Sequence, residues 1–494
     1  MIIARHLSAI LLAFALLLSA CAAPPGPVPV VPLIALHDCQ LSSPGFPINL
    51  AARCGRLAVY ENRQSVTGRQ IELYVAVVPA ISRSPAPDPL FFLTGGPGQA
   101  ATESYVQLAG AFKRVHQKRD IVLVDQRGTG RSNPLRCPET PGEQSSASGT
   151  RRQAAECAAA LDADLTQYTT PIAMQDLDQV RQALGYEQIN LYGLSYGTRA
   201  VQVYMKLFPE RVRAVVLDGV VPLDEPLGQE VARDAQRALD LIFERCRKDA
   251  ACGQAFPELE TQFEALIARL EGSPVTVTLP EPSSGEQVTI EFTAAELATA
   301  VRLLSYAPET SALLPMLIDS AESHSDFSLL AAQYLVVAGQ LSDSIVQGMG
   351  FSVLCAEDQP FIDLKAASQA NQGTYIGNLQ TDELAEICAV WPRGDLPADL
   401  RQPVQSTIPV LLLSGEADPV TPPANAGQVA GHLPNSLHII APGMGHNVVF
   451  RGCLPRLLTA FIEAGSPDGL DPSCAQAIQP LPFFLNPSGP VPGD

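Results

Sequence analysis

The chain of 494 residues is long enough for one large domain carrying an insertion, or for two domains. Apolar residues make up 46% and charged residues 17%, which excludes an intrinsically disordered chain. The formal charge of −19 argues against a nucleic-acid partner and for a self-repelling, soluble surface.

At the N-terminus, Arg5 and His6 precede an apolar run over residues 7–18, too short to span a bilayer as a mature helix. The run ends Leu18-Ser19-Ala20-Cys21, which resembles a bacterial lipobox. Residues 1–20 then read as a lipoprotein signal peptide with Cys21 as the lipidated residue; an ordinary secretory signal is the alternative. Ala22 in place of Asp implies outer-membrane sorting if the cell is Gram-negative. Residues 21–36, rich in Pro, read as an extended tether. The expected location is the cell envelope, outside the cytoplasm, with the membrane met only through the lipid anchor.

Cysteine usage agrees with export. Of eleven cysteines, ten remain once Cys21 is set aside. They fall into sequence-neighbour pairs, Cys39/Cys54, Cys137/Cys157, Cys246/Cys252, Cys355/Cys388 and Cys453/Cys474, so five local disulfides are expected in an oxidising compartment. Sequence alone does not fix the connectivity. The absence of any C-x-x-C spacing argues against a metal site, and no metal or cofactor is expected.

Runs at 56–60 and 70–78, with Gly68 between them, predict an opening antiparallel hairpin. Short continuous apolar runs at 90–93, 121–124, 188–192 and 213–218 alternate with helical spacing at 154–165 and 174–184. That rhythm predicts a mostly parallel sheet with helices on both faces. From about 225 to 404 it stops. Helical periods appear at 231–245, 259–270, 294–306, 312–321 and 329–337, interrupted by β-rich runs at 275–278 and 288–292. This stretch reads as an inserted, mainly helical cap. Sheet texture resumes at 408–413 and 436–440, and a closing helix follows at 454–464. The predicted organisation is a core in two parts, 37–222 and 405–494, the second ending in a Pro-rich tail, with a cap domain at 223–404.

The sequence Gly193-Leu194-Ser195-Tyr196-Gly197 stands between an apolar run and a helix-compatible run. This is the G-x-S-x-G layout of a nucleophile elbow, whose tight turn needs small residues on either side of the Ser. A Ser nucleophile needs a base. Among seven His residues, His446 lies in a Gly-rich loop, Gly443-Met444-Gly445-His446, just after the last strand. Loops at the carboxyl ends of parallel strands are where such sheets place their chemistry. The acid should fall between Ser and His at another strand end, and Asp418 is chosen; Glu416 comes two residues early, and Asp218 is the runner-up. The acid orients the imidazole and stabilises the imidazolium. An oxyanion hole needs two N–H donors: Tyr196 supplies one, and Gly95 or Gly96 in Gly95-Gly96-Pro97-Gly98 supplies the other.

Five motifs occur in order: Gly-Gly-Pro-Gly (95–98), Asp-Gln-Arg-Gly-Thr-Gly-Arg-Ser (125–132), Gly-Leu-Ser-Tyr-Gly-Thr (193–198), Gly-Glu-Ala-Asp-Pro-Val-Thr-Pro (415–422) and Gly-Met-Gly-His (443–446). Together they resemble the proline iminopeptidase and tripeptidyl aminopeptidase family of α/β-hydrolases, in its secreted tripeptidyl-aminopeptidase-like branch. The resemblance implies a serine exopeptidase acting on peptides with a free N-terminus. It also implies that cap carboxylates hold the substrate ammonium; Glu357, and after it Asp358, match the acidic pair that follows a Cys in this branch. Trp391 is read as core, with pocket lining as the alternative. One departure is Thr94, where proline iminopeptidases carry His, and this argues against strict specificity for N-terminal Pro. A carboxylesterase or lipase on the same scaffold is the alternative activity, and a non-catalytic peptide-binding lipoprotein is a third reading.

Overall fold

The computed structural model describes residues 33–65, 67–138 and 147–490. The expected signal peptide 1–20, Cys21 and the tether up to residue 32 lie outside them.

Eleven strands are described: β1 (His37–Ser43), β2 (Phe46–Tyr60), β3 (Gln70–Val78), β4 (Leu90–Leu93), β5 (Ile121–Val124), β6 (Ile189–Leu194), β7 (Val212–Asp218), β8 (Val275–Pro280), β9 (Gln287–Phe292), β10 (Val410–Gly415) and β11 (Ser436–Ala441). Nine form one sheet in the order β1-β2-β3-β5-β4-β6-β7-β10-β11. The β1–β2, β2–β3 and β3–β5 pairs are antiparallel. The pairs β4–β5, β4–β6, β6–β7, β7–β10 and β10–β11 are parallel. The central strands are apolar throughout because both faces are covered: every residue of β4, β5, β6 and β10 is buried. One face carries the helix Ala101–His116 and the closing helix Leu454–Ala464, whose Tyr105, Phe112 and Phe461 pack in one cluster with Phe92 and Tyr192. This is the α/β-hydrolase fold. The edge strand β1 was not anticipated from the sequence, nor was the helix Ala101–His116.

Between β7 and β10 the chain forms the helical layer that the change of texture predicts. The helices Val231–Lys248, Leu259–Gly272, Ala294–Leu304, Leu314–Ser323 and Ser328–Ser344, with the separate β8–β9 hairpin, enclose a second hydrophobic core around Leu239, Phe263, Phe292, Leu304 and Leu330. The helix Gln347–Glu357 then returns to the sheet and packs with Tyr168, Tyr196 and Trp391. Five disulfides close, Cys39–Cys54, Cys137–Cys157, Cys246–Cys252, Cys355–Cys388 and Cys453–Cys474. The described part of the Pro-rich tail lacks regular structure, turns back on itself at Asn486–Gly489, and is anchored: Phe483 is buried in the cap core and stacks 4.0 Å from the Arg245 guanidinium.

Candidate active site

Strand β6 runs directly into the helix Tyr196–Leu207, and the turn between them leaves Ser195 at φ 55°, ψ −125°. A non-glycine residue in that region costs on the order of 1–3 kcal/mol and persists only where its surroundings hold it. Here the Ser195 N–H donates to the Asp218 carbonyl at 2.9 Å, and both glycines of the motif are packed backbone to backbone. A Cβ at Gly193 would stand 2.6 Å from the Gly197 carbonyl oxygen, and one at Gly197 would stand 2.5 Å from that of Leu93. Only glycine allows the helix to approach the sheet this closely, which is the physical reason for the motif.

Asp418 and His446 sit on the loops after β10 and β11 and meet with Nδ1···Oδ2 at 2.8 Å, both buried. A carboxylate only accepts, so the proton of the neutral imidazole resides on Nδ1 and Nε2 is left as the basic nitrogen. The imidazole lies against Gly219, where an added Cβ would be 2.9 Å from His446 Cε1. Gly219 follows the residue whose carbonyl holds the Ser195 amide, so base and Ser converge on one strand end. The Asp418 carboxylate is held on every side: Oδ1 accepts the N–H groups of Val420 (2.8 Å) and Thr421 (2.9 Å), and Oδ2 also accepts the Thr421 hydroxyl at 2.7 Å. Burial alone pushes this carboxyl up, but His446 and the Thr421 hydrogen bonds outweigh it and hold it below its ordinary value. Burial likewise pushes His446 down, yet Asp418, with a smaller pull from Asp218, raises it above the usual imidazole value. Thr421 was not singled out in the sequence. Its position three residues after an Asp, the spacing of a side-chain-capped turn, is the signal that could have found it.

Asp218 does other work. Its carboxylate accepts the Tyr192 hydroxyl at 2.8 Å and the N–H groups of Val448 and Val449 at 3.0 Å each, so it anchors the chain just beyond His446. Glu416 accepts the Gly443 N–H at 2.8 Å, steadying the other end of the same loop. The loop 95–98 passes beside the elbow: a Cβ at Gly95 would be 3.1 Å from Ser195 Cβ. Thr94 is buried and donates to Gln99 Oε1 at 3.2 Å. Gly98 accepts the Val346 N–H at 3.0 Å, which ties this loop to the cap.

Glu357 and Asp358 are both buried at the end of the helix Gln347–Glu357, but their partners differ. Asp358 Oδ1 accepts Arg199 Nη1 at 2.6 Å and the Leu227 N–H at 2.7 Å. Glu357 Oε1 accepts the Thr170 N–H at 2.6 Å, and Glu357 Oε2, like Asp358 Oδ2, has no hydrogen-bond partner among the described residues. Thr170 Oγ1 in turn lies 2.7 Å from the Tyr196 hydroxyl, so Glu357 stands one residue behind the elbow. Burial pushes the Glu357 carboxyl up to about 7, with the Thr170 N–H and Arg199 opposing. Trp391 is core: it is buried and donates to Ser352 Oγ at 3.1 Å. The 125–132 motif is architectural too. Arg127 is fully buried, forks onto Asp176 at 2.7 and 3.0 Å and donates to the carbonyls of Glu61 and Gln167.

Residues 88–251 match the family described as alpha/beta hydrolase fold, and residues 373–474 match the family described as TAP-like protein. The fold is that of the α/β hydrolases, and these matches together with the relatives below support a serine hydrolase. It is 26% identical over 465 residues to the serine protease Hip1 of Mycobacterium tuberculosis, covering 87% of this chain and 88% of that one. It is 26% identical over 472 residues to the tripeptidyl aminopeptidase of Streptomyces lividans, covering 87% and 85%. Over 508 residues it is 28% identical to carboxylesterase B of Mycobacterium tuberculosis, covering 91% and 94%.

Proposed function

We propose that the chain is a serine aminopeptidase that releases residues or short peptides from free peptide N-termini. Ser195 Oγ attacks the scissile carbonyl while His446 Nε2 takes its proton, and the imidazolium then protonates the leaving amine. Asp418 stays ionised and holds the imidazole in its Nδ1–H tautomer. The N–H of Tyr196 and one from Gly95 or Gly96 receive the developing oxyanion. Water deacylates Ser195 with His446 again acting as base. The observation that carries the exopeptidase reading is Glu357: a buried carboxylate with one oxygen unpartnered, one side chain behind the elbow. A substrate ammonium would complete its coordination. Asp358 is the second candidate: its Oδ1 is already paired with Arg199 and the Leu227 N–H, while its Oδ2 is likewise unpartnered.

In this reading the cap, residues 223–404, selects the substrate, while the two core segments, 37–222 and 405–494, perform acyl transfer. The five disulfides support an oxidising compartment, and no helix among the described residues is long and apolar enough to cross a membrane. Lipidation at Cys21 would then hold the enzyme at the envelope, where its partners are peptides.

A carboxylesterase is the second reading, favoured by the 28% identity to carboxylesterase B. The two share the same acyl chemistry and part over the amine. Turnover of a peptidyl amide against its N-acetylated form distinguishes them: a strong preference for the free amine supports the peptidase, and turnover of an ester with no peptide cleavage supports the esterase.

A further inference from the structure

The two loops that carry Asp418 and His446 are braced by the cap as well as by the sheet. Resting on the triad reading above, we propose that Tyr306, in the corner between the helices Ala294–Leu304 and Pro308–Ser311, is a positioning residue for His446, so that a seated cap is a condition of catalysis.

The contacts at this corner converge on one loop. The Tyr306 carbonyl accepts the His446 N–H at 2.7 Å, and the Tyr306 ring meets the imidazole at 5.3 Å between centroids and 71° between planes. Between them there is no spare room: a Cβ at Gly445 would be 2.4 Å from the Tyr306 carbonyl oxygen and 2.7 Å from that of Ser305. Three residues on from Tyr306, Glu309 forms a two-point ion pair with Arg451, just beyond the His446 loop. The tail closes the third side, with Pro480 against Gly443 and the Phe484 N–H donating to the Ala312 carbonyl at 3.0 Å. The acid loop is gripped from the same layer, where Arg237 of the helix Val231–Lys248 donates to the carbonyls of Glu416 and Asp418 at 2.9 Å each.

Asp418 fixes one edge of the imidazole and leaves its tilt free. The Tyr306 ring, standing across the imidazole face or edge at a steep angle, limits that tilt and sets where Nε2 points. An error of about 1 Å in a proton-transfer partner costs on the order of 100-fold in rate. A base that is misplaced while the substrate pocket is intact lowers kcat and leaves KM near its original value.

The test compares wild type with Tyr306→Ala and Tyr306→Phe on a free-amine peptidyl amide, with thermal midpoints measured in parallel. Tyr306→Ala is expected to lose roughly 10- to 100-fold in kcat with KM changed by less than about threefold. Tyr306→Phe keeps the ring and is expected to recover most of the loss. Glu309→Gln, on the surface, is expected to lose a few-fold in kcat; it carries the test if Tyr306→Ala fails to fold. Wild-type kcat in both Tyr306→Ala and Glu309→Gln, a rise confined to KM, or a Tyr306→Phe as defective as the Ala variant would overturn the positioning role. Full activity in Ser195→Ala, run alongside, would instead overturn the triad reading on which the proposal rests.

Discussion

The strand ends of the sheet and the helical layer above them contribute to the site in different ways. At the strand ends, backbone geometry places each group: the Ser195 turn, the glycines around it and the loops after β10 and β11 all follow from short, local sequence. In the cap, residues distant in sequence meet. Glu357 reaches Thr170, Tyr306 reaches His446 and Arg237 reaches the Asp418 loop. The difference teaches that the strand ends build the candidate triad from local sequence, whereas the cap braces its loops through long-range contacts and, in the proposed reading, also selects the substrate.

That division can be broken, and the largest expected effect lies at the elbow. Ser195→Ala should lower kcat on every substrate by roughly 10⁶-fold, measured by steady-state turnover, because the residual rate then comes from the oxyanion hole and substrate binding. Peptidase turnover within tenfold of wild type would remove the nucleophile from the strand ends altogether. Asp418→Asn should follow at about 10⁴-fold, since an amide presents its own donor to Nδ1 and favours the wrong tautomer. Its thermal midpoint, measured by calorimetry, separates this from unfolding.

A cap substitution should behave differently. Glu357→Gln is expected to lower kcat/KM on free-amine peptides by roughly 10- to 100-fold, the loss of one charge-assisted contact, while leaving ester hydrolysis near wild type. Equal losses on both substrates would mean that Glu357 serves the fold and not the amine. pH sharpens the same contrast. A carboxylate must be ionised to hold an ammonium, and burial places Glu357 at about 7. KM for free-amine peptides should therefore rise as pH falls through about 7, and the dependence should vanish in Glu357→Gln. kcat should report His446 instead. Its protonated form cannot act as base, and Asp418 raises its pKa, so kcat should fall on the acid side with a midpoint above the ordinary imidazole value.

The smallest expected effect is on stability. Replacing Cys355 and Cys388 together removes the bridge that ties the end of the helix Gln347–Glu357 to the helix Leu379–Cys388. Unfolding free energy, measured by denaturant titration, should drop by about 2–5 kcal/mol. Activity on free-amine peptides should suffer more than activity on small esters, because the bridge lies two residues from Glu357.

Much of the first region was legible from residue order. The elbow demands glycine on both sides, a base must follow the last strand, and an acid must sit at a strand end between them; each demand is local and reads as a motif. The second region was less legible for physical reasons. The helix Gln347–Glu357 is buried on nearly all sides, so its sequence, rich in apolar and small residues, shows no amphipathic period. The helix Ala101–His116 has no side-chain cap at Ala100 and carries Gly110 in its interior, which blunts its signal. Prolines make the tail read as extended, whereas Asn486–Gly489 form a turn, and the burial of Phe483 depends on a cap surface that no nearby residue announces. Tyr306 carries no sequence signal at all. Its role follows from a carbonyl and a ring that meet His446 only after the cap has folded.

The most direct test of the central reading is the ratio of kcat/KM for a peptidyl amide with a free α-amine to that for its N-acetylated counterpart, measured on wild type and Glu357→Gln. A serine aminopeptidase that holds the ammonium at Glu357 should show a ratio of at least about 100 in wild type, collapsing toward unity in the variant. A ratio near unity in wild type would contradict it.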